Sequence, residues 1–549
     1  MPLFSCLRLF LSGRPGRKPG CARPRRPARV PLQLETLGER VLPSTFYVSP
    51  TGNDKNDGLA PATAWQTIAK VNQGTFRPGD SILFKGGATF SGGLTFTASS
   101  AGTSAAPINV SSYGSGRATI LAGRGFGLYA LDTAGFNVTN LNFVGTGANT
   151  SNGIRFCDDR AGGAKLQHVY VDHVDVSGFG EFGIDVGTLT SAAGYNDVRI
   201  TYAVAHGNGG GVFVWGQTPS SSNSNVYIGH CIAYENAADG LEIADTDGGT
   251  IERSIAHDNG RNVGGEVGIW TYDSTHVTIQ YNESYHNRST PTADDGDGFD
   301  FDGGVTNSVM QYNYSHDNDG AGFLVGEYPG SGPTTGNVIR YNISQNDGQL
   351  NGYGGIYLYN YNSPTTKVTG NFFYNNTLYN SSGGANVVID GDLTGSVNVF
   401  ANNIFQTANG VPLIRWSGKS GATFVGNDYW SSGGSFLITH DEASYFSLSA
   451  FRGSGQEILK GRPTGYGLVV VERDKPRWYG DPQLNYAGGG GIIGDSDRLN
   501  TLRAYRLRPT SVLTHAGLNL QSIYGVNPGS ANFYGNPVPR RGPWNVGAD

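Results

Sequence analysis

"NDVRITYAVAHGNGGGVFVW" (Asn196–Trp215) is answered by "NVYIGHCIAYENAADGLEIA" (Asn225–Ala244). The same phrase returns as "GTIERSIAHDN" with "VGIWTY" (Gly249–Asn259, Val267–Tyr272), then as "HVTIQYNESYHN" with "DGFDFD" (His276–Asn287, Asp297–Asp302). It returns once more as "SVMQYNYSHDN" with "AGFLVG" (Ser308–Asn318, Ala321–Gly326). Each unit reads as a short strand, a polar turn, a second strand and another turn. One such unit cannot bury its apolar face alone, so the repeat predicts a stacked array.

Glycine-led strands begin at Gly183, Gly211, Gly240, Gly268, Gly298, Gly322 and Gly355, in steps of 28, 29, 28, 30, 24 and 33 residues. Within them apolar residues alternate, as in Ile184 and Val186, Leu241 and Ile243, or Phe299 and Phe301. Period two marks strands with one buried face. A propeller blade needs four strands in about 40–45 residues, more than these units offer. The pattern therefore predicts an all-β parallel β-helix with one coil per unit. Asn282, Asn313, Asn342, Asn371, Asn402 and Asn427 form a second column, expected to stack as a hydrogen-bonded ladder at a turn. His206, Tyr234, His257, His286 and His316 form a third, expected to stack in the same way.

Composition agrees. The 549 residues exceed one ordinary globular core, but a solenoid core grows only in length. The 84 glycines suit many tight turns. The four cysteines show neither a disulfide framework nor zinc spacing. Residues 1–30 hold eight Arg and Lys and no acid. Subtracting those eight charges from the net −6 leaves the remainder near −14, which argues against a nucleic-acid partner. No apolar run is long enough to span a membrane.

Four regions follow: a leader (1–44), an N-terminal cap with the first coils (45–106), the β-helix (107–430) and a less regular C-terminal extension (431–549) expected to pack on the helix end. "AWQTIAKV" (Ala64–Val71) reads as a capping helix, and a second helix is expected near "EASYFSLSAFRGSG" (Glu442–Gly455). About a dozen coils at roughly 4.8 Å each give a rod near 60 Å.

The opening "YVSPTGNDKNDG…PATAWQTI…PGDSILFKGG" and the repeats resemble the right-handed parallel β-helix proteins of the pectate-lyase-like superfamily. The tail "TSVLTHAG…NFYGNPVP…NVGA" is similar to the closing segment of many secreted bacterial members, with His515 where an aspartate is usual. "LETLGERVLPS" (Leu34–Ser44) resembles a short motif near the N-terminus of exported bacterial proteins, implying an extracellular or cell-surface location. The resemblance implies the fold and its handedness. It does not fix the chemistry, because this architecture hosts lyases, hydrolases, epimerases and adhesins.

Outward positions of the aligned strands predict one exposed column: Asp185, Phe213, Glu242, Trp270, Asp300, Leu324 and Tyr357. Two residues on lie Gly187, Trp215, Ala244, Tyr272, Asp302, Gly326 and Tyr359. Aromatic rings stack on sugar faces, and carboxyls bind hydroxyls or transfer protons. Trp215, Trp270, Tyr272, Tyr357 and Tyr359 are thus candidate substrate contacts. Asp300 and Asp302 are a candidate catalytic pair, with Asp319 from the next unit and Glu242 in reserve. "DGFDFD…QYNYSHDNDGAGF" resembles segments of β-helical glycoside hydrolases in which acids on neighbouring coils act together, although the acid near Asp319 is often a glutamate there. Asp294, Asp295 and Asp297 are alternative calcium ligands.

Lyase chemistry needs a base and positive charge for a uronate, yet no lysine lies between Leu166 and Thr366. The expectation is a monomeric glycoside hydrolase acting on a polysaccharide or oligosaccharide, with no required cofactor. The alternatives are a calcium-assisted lyase and a non-catalytic carbohydrate-binding or adhesin-like rod.

Overall fold

In the computed structural model, which describes residues 42–549 other than 191–192, 262–265, 292, 362–366, 419–420, 434 and 472–474, successive repeats wind into coils. The leader and most of the export-like motif lie outside the described residues. Three long sheets of 14, 13 and 14 strands run the length of the coils, and each strand pairs with its counterpart one coil away. Within these three sheets pairing is parallel except for a closing hairpin, where Ile438–His440 meets Ala443–Tyr445.

The strands that carry the predicted column belong to one sheet. They are β1 (Phe182–Thr188), β2 (Gly210–Trp215), β3 (Leu241–Ala244), β4 (Ile269–Tyr272), β5 (Phe299–Phe301), β6 (Phe323–Val325) and β7 (Ile356–Asn360). Their inward residues align in register: Ile184, Val212, Leu241, Ile269, Phe299, Phe323 and Ile356. All are buried. Each such side chain contributes about 1.5–3 kcal/mol by leaving water, and a one-residue slip would expose the whole row.

Turns obey a two-residue rule. Tyr281, Tyr312, Tyr341, Asn375 and Asn402 adopt left-handed backbone with φ of 51–58°. Each directly precedes a ladder residue: Asn282, Asn313, Asn342, Asn376 or Asn403. Every ladder amide donates to the next coil's amide oxygen, on through Asn427 to Glu457, at 2.8–3.1 Å. Left-handed backbone costs a non-glycine residue about 1–2 kcal/mol, and the saturated amides offset it. The expected column is thus right at Asn282, Asn313, Asn342 and Asn427 but wrong at two places. Asn402 is the left-handed residue beside the ladder. Asn371 belongs to a different ladder, between Asn337 and Asn398.

A further ladder runs Asn236, Asn259, Asn287, Asn318 and Asp347. The ring stack shows the same one-residue offset. His206, Tyr234, His257, Tyr285 and His316 lie 4.8–5.2 Å apart with nearly parallel planes, and His286 is the left-handed turn residue next to them.

Both expected helices form. Ile68–Val71 is capped by the Thr67 side chain, and Leu448–Gly453 by Ser447. The C-terminal extension departs from expectation. Its helix closes the last coil, with Phe451 against Phe424 and Tyr429. The chain beyond residue 481 then runs back along the flank of the coils rather than sitting on their end. Asp497 meets Arg253 at 2.5 Å, Gly490 exchanges hydrogen bonds with Gln345, Ala531 accepts from Tyr312, and Leu518 is held by Asn402. A tyrosine row (Tyr312, Tyr341, Tyr374) is apolar enough to bury Leu513, Phe533 and Trp544 beside it.

Candidate active-site trough

The outward column is in register: Arg155, Asp185, Phe213, Glu242, Trp270, Asp300, Leu324, Tyr357, Val388 and Arg415 are lateral neighbours in turn. A guanidinium stands at each end and a carboxylate engages each, Asp185 with Arg155 at 3.3 Å and Asp390 with Arg415 at 3.5 Å. Among the described residues, Glu242 and Asp300, the acids between them, have no such partner.

Two adjoining pockets open over this row. One, of ≈ 310 Å³, is lined by Phe182, Phe213, Asp239, Glu242, Trp270 and Tyr272; the other, of ≈ 340 Å³, by Asp294, Asp295, Leu324 and the tyrosines 353, 357, 359 and 361. Asp302 and Tyr328 border both. The described lining of both includes no Lys, Arg or His.

Asp302 follows β5, and its backbone N–H donates to Thr271. Its carboxyl is partly exposed and accepts from the Tyr359 hydroxyl at 3.3 Å. Burial pushes it up to about 6, opposed by the Gly303 N–H and Tyr359. Asp295, in left-handed backbone, is also partly exposed. Burial, then Asp302 and Asp294, push it up to about 7. These two acids share the second pocket, and burial raises both. Two acids placed together suit acid–base work, because the charge on one helps the other keep its proton.

Asp300, the expected partner of Asp302, is in the outward row but only 3 % exposed, and its Oδ1 has no hydrogen-bond partner. Burial, then Asp302 and other acids, raise its pKa well above the usual range. It lies beneath the surface that a substrate would touch. Asp319 is not brought to the trough: it binds Arg288 at 3.2 Å and the Ser289 N–H at 3.0 Å. The suggested calcium ligands also diverge. Asp297 is fully buried and accepts the Ala321 N–H, Asp294 accepts from the Tyr353 hydroxyl at 3.1 Å, and Asp295 faces the pocket. Among the described residues no group of three or more His, Cys, Asp or Glu could hold a metal ion.

The aromatic candidates line the trough in different ways. Trp215 donates its indole N–H to Asp185 at 2.7 Å and lies over Gly187, where a Cβ would meet the indole at 2.2 Å. Tyr359 covers Gly326 in the same way. Trp270 and Tyr272 are 5.2 Å apart, and Tyr353, Tyr357 and Tyr359 form a continuous stack at 4.1 and 5.2 Å. Burial holds the phenols of Tyr272, Tyr328 and Tyr359 above their ordinary range, so they donate hydrogen bonds and do not act as bases.

Sequence reasoning missed Asp239, Glu266, Tyr328 and Tyr353. Asp239 carried a signal: Asp239-Gly240 precedes β3 as Asp297-Gly298 precedes β5. Asp239 and Glu266 sit together, and Glu266 is pushed up to about 8, by burial first and then by Asp239. Glu266, Tyr328 and Tyr353 sit on loops outside the repeat, where no periodicity points to them.

Comparison with known proteins points to the same fold. The family model described as "Right handed beta helix region" matches residues 152–339 and 219–373. A lacto-N-biosidase of Bifidobacterium longum subsp. longum is 24% identical over 509 residues, covering 70% of this chain and 30% of that protein. The chain thus spans about 30% of the length of this curated relative. Among solved structures, the GH136 lacto-N-biosidase from Eubacterium ramulus (selenomethionine derivative) superimposes with a TM-score of 0.50 at 17% identity, covering 72% of this chain and 67% of that one. A rhamnogalacturonan lyase gives 0.43 at 16% identity, over 66% and 87%. The fold is a right-handed parallel β-helix.

Proposed function

We propose that this protein is a glycoside hydrolase acting on neutral or weakly charged oligosaccharide or polysaccharide chains laid along the trough. The observation that carries the reading is the Asp295–Asp302 pair: two partly exposed carboxyls in one tyrosine-walled pocket, both raised by burial. Asp295, pushed up further by the neighbouring Asp302 and Asp294, is the general acid that protonates the leaving oxygen. Asp302, held by the Tyr359 hydroxyl, is the carboxylate that attacks the sugar or activates water. Asp300 acts from beneath by keeping the site's charge low.

The curated relative's name, lacto-N-biosidase, supports a glycosidase, as does the lack of a cation in the described pocket lining. A lyase would need a base and a positive partner for a uronate. The high-pKa tyrosines supply neither near neutral pH. No helix among the described residues is long and apolar enough to cross a membrane. An extracellular or cell-surface location, as the leader suggests, would put the enzyme where such chains are found.

The test is incubation with a panel of neutral oligosaccharides, read for new reducing ends and for absorbance at about 235 nm from unsaturated sugar. New reducing ends without absorbance, abolished in Asp302→Asn, are expected. Unsaturated product would replace hydrolysis with elimination. Binding without turnover in the wild type would leave a carbohydrate-binding surface.

A further inference from the structure

The proposed reaction leaves the Glu242 carboxyl of the trough unused. Glu242 is 3 % exposed and stands between Phe213 and Trp270 in the outward row. It lines the pocket on the opposite side of Asp302 from Asp295. It makes no hydrogen bond with any described residue. Glu283 and Glu457, equally buried, behave differently: Glu283 accepts the N–H groups of Ile493 and Gly494, and Glu457 accepts from Asn427, Tyr429 and Thr464. A buried carboxyl without a partner is costly. A ligand that completes it recovers that cost.

The groups that face Glu242 are Asp239, Glu266, Asp185, Asp245 and the Tyr272 phenol. None is a cation. Burial first, and then these acids, raise its pKa well above the usual carboxylate range. Burial and these acids favour the protonated carboxyl, which offers one donor and one acceptor. Rings on either side present faces of the kind that stack on a sugar. A uronate or sulfate placed here would meet a set of acids and no counter-charge. A hydroxyl would meet a matched partner.

We propose that Glu242 is a specificity-determining contact: its carboxyl exchanges hydrogen bonds with a hydroxyl of a neutral sugar residue held between Phe213 and Trp270, and the pocket refuses residues that carry an anionic group. The inference rests on the glycosidase reading and extends it to a second sugar position across Asp302.

The test compares wild type, Glu242→Ala and Glu242→Gln on a neutral oligosaccharide that the wild type cleaves, and on the same chain oxidised to a uronate at the residue entering this pocket. Glu242→Ala is expected to raise KM about tenfold or more while kcat stays within about threefold. Glu242→Gln keeps a donor and an acceptor. Its KM is expected to stay near wild type at pH 6 and to lack the alkaline rise expected of the wild type. The uronate chain is expected to bind the wild type at least about tenfold more weakly. An unchanged KM in Glu242→Ala, or a uronate residue accepted as well as the neutral one, overturns the proposal. If Glu242→Ala does not fold, the pH dependence of KM in Glu242→Gln decides it. If the wild type cleaves no glycoside, the hydrolase reading fails separately, and calorimetry with the neutral oligosaccharide still judges the pocket. Binding that disappears in folded Glu242→Ala supports the contact, and equal binding overturns it.

Discussion

Two polar columns climb the same coils and are treated in opposite ways. The ladder Asn236–Asn259–Asn287–Asn318 is buried, and each amide is joined to the next before ending on Asp347. In the outward row Glu242 and Asp300 are almost as buried, each 3 % exposed, yet no hydrogen bond from a described residue engages the Glu242 carboxyl and the Asp300 Oδ1 has no partner. In the first, polar capacity is consumed by structure. In the second it is held open, and the molecule bears the resulting strain in proton affinity. The contrast separates a scaffold from a site more clearly than residue type does, because both columns are polar and both are stacked.

The largest expected effect falls on the open column. Asp302→Asn should lower kcat by about 10²–10⁴-fold on any glycoside substrate found, with melting temperature little changed. The pH profile sharpens the assignment. Activity needs Asp302 ionised and Asp295 protonated, so it should rise near pH 6 and fall near pH 7, where the two carboxyls are placed. Asp295→Asn should remove the alkaline limb from whatever activity remains.

The closed column should respond in stability instead. Asn318→Ala strips the partner from Asn287 and from Asp347, and about 1–3 kcal/mol of unfolding free energy should be lost, measured by denaturant titration. Kinetic constants of the folded variant should stay near wild type. A large kcat loss without destabilisation would break the comparison.

A smaller effect has the opposite sign. The trough acids have folded pKa values raised above their unfolded ones, so the stability linked to them is fully present below the unfolded values and is lost as pH rises through the folded ones. With Asp302 near 6, Asp295 near 7 and Glu266 near 8, wild type should melt progressively lower from about pH 4, near the unfolded values, up to about pH 8. Asp300→Asn removes one such ionisation and should raise the melting temperature at pH 8 more than at pH 5. The smallest effect is expected from chelation: treatment with a calcium chelator should leave turnover unchanged, and a loss restored by added calcium would reopen the cation reading.

The fold could be read from the sequence because periodicity is a property of every coil. Seven glycine-led strands gave the register of the outward row without error, down to Glu242 beside Trp270 and Asp300 beside Leu324. The asparagine and ring columns slipped by one residue in places because ladder and turn positions are adjacent. At Asn402–Asn403 both are asparagine, and at Tyr285–His286 both are aromatic. Only the left-handed backbone of one partner, Asn402 in the first pair and His286 in the second, distinguishes them. The site was read less well. Alternation says which way a side chain leaves a strand, but not whether a loop then covers it. Asp300 and Asp302 share a direction and differ in cover. Asp319 sits in a turn, where the nearest cation, Arg288, decided its partner.

The returning tail carries a mechanical consequence. Stacked repeats held only by their neighbours can peel away from an end one at a time. Here a single segment is pinned to coils as far apart as those of Arg253, Gln345 and Asn402, so it acts as a splint across them. Pulled from its termini, the array should yield in one cooperative rupture, and cutting the chain near residue 481 should turn that event into stepwise unravelling.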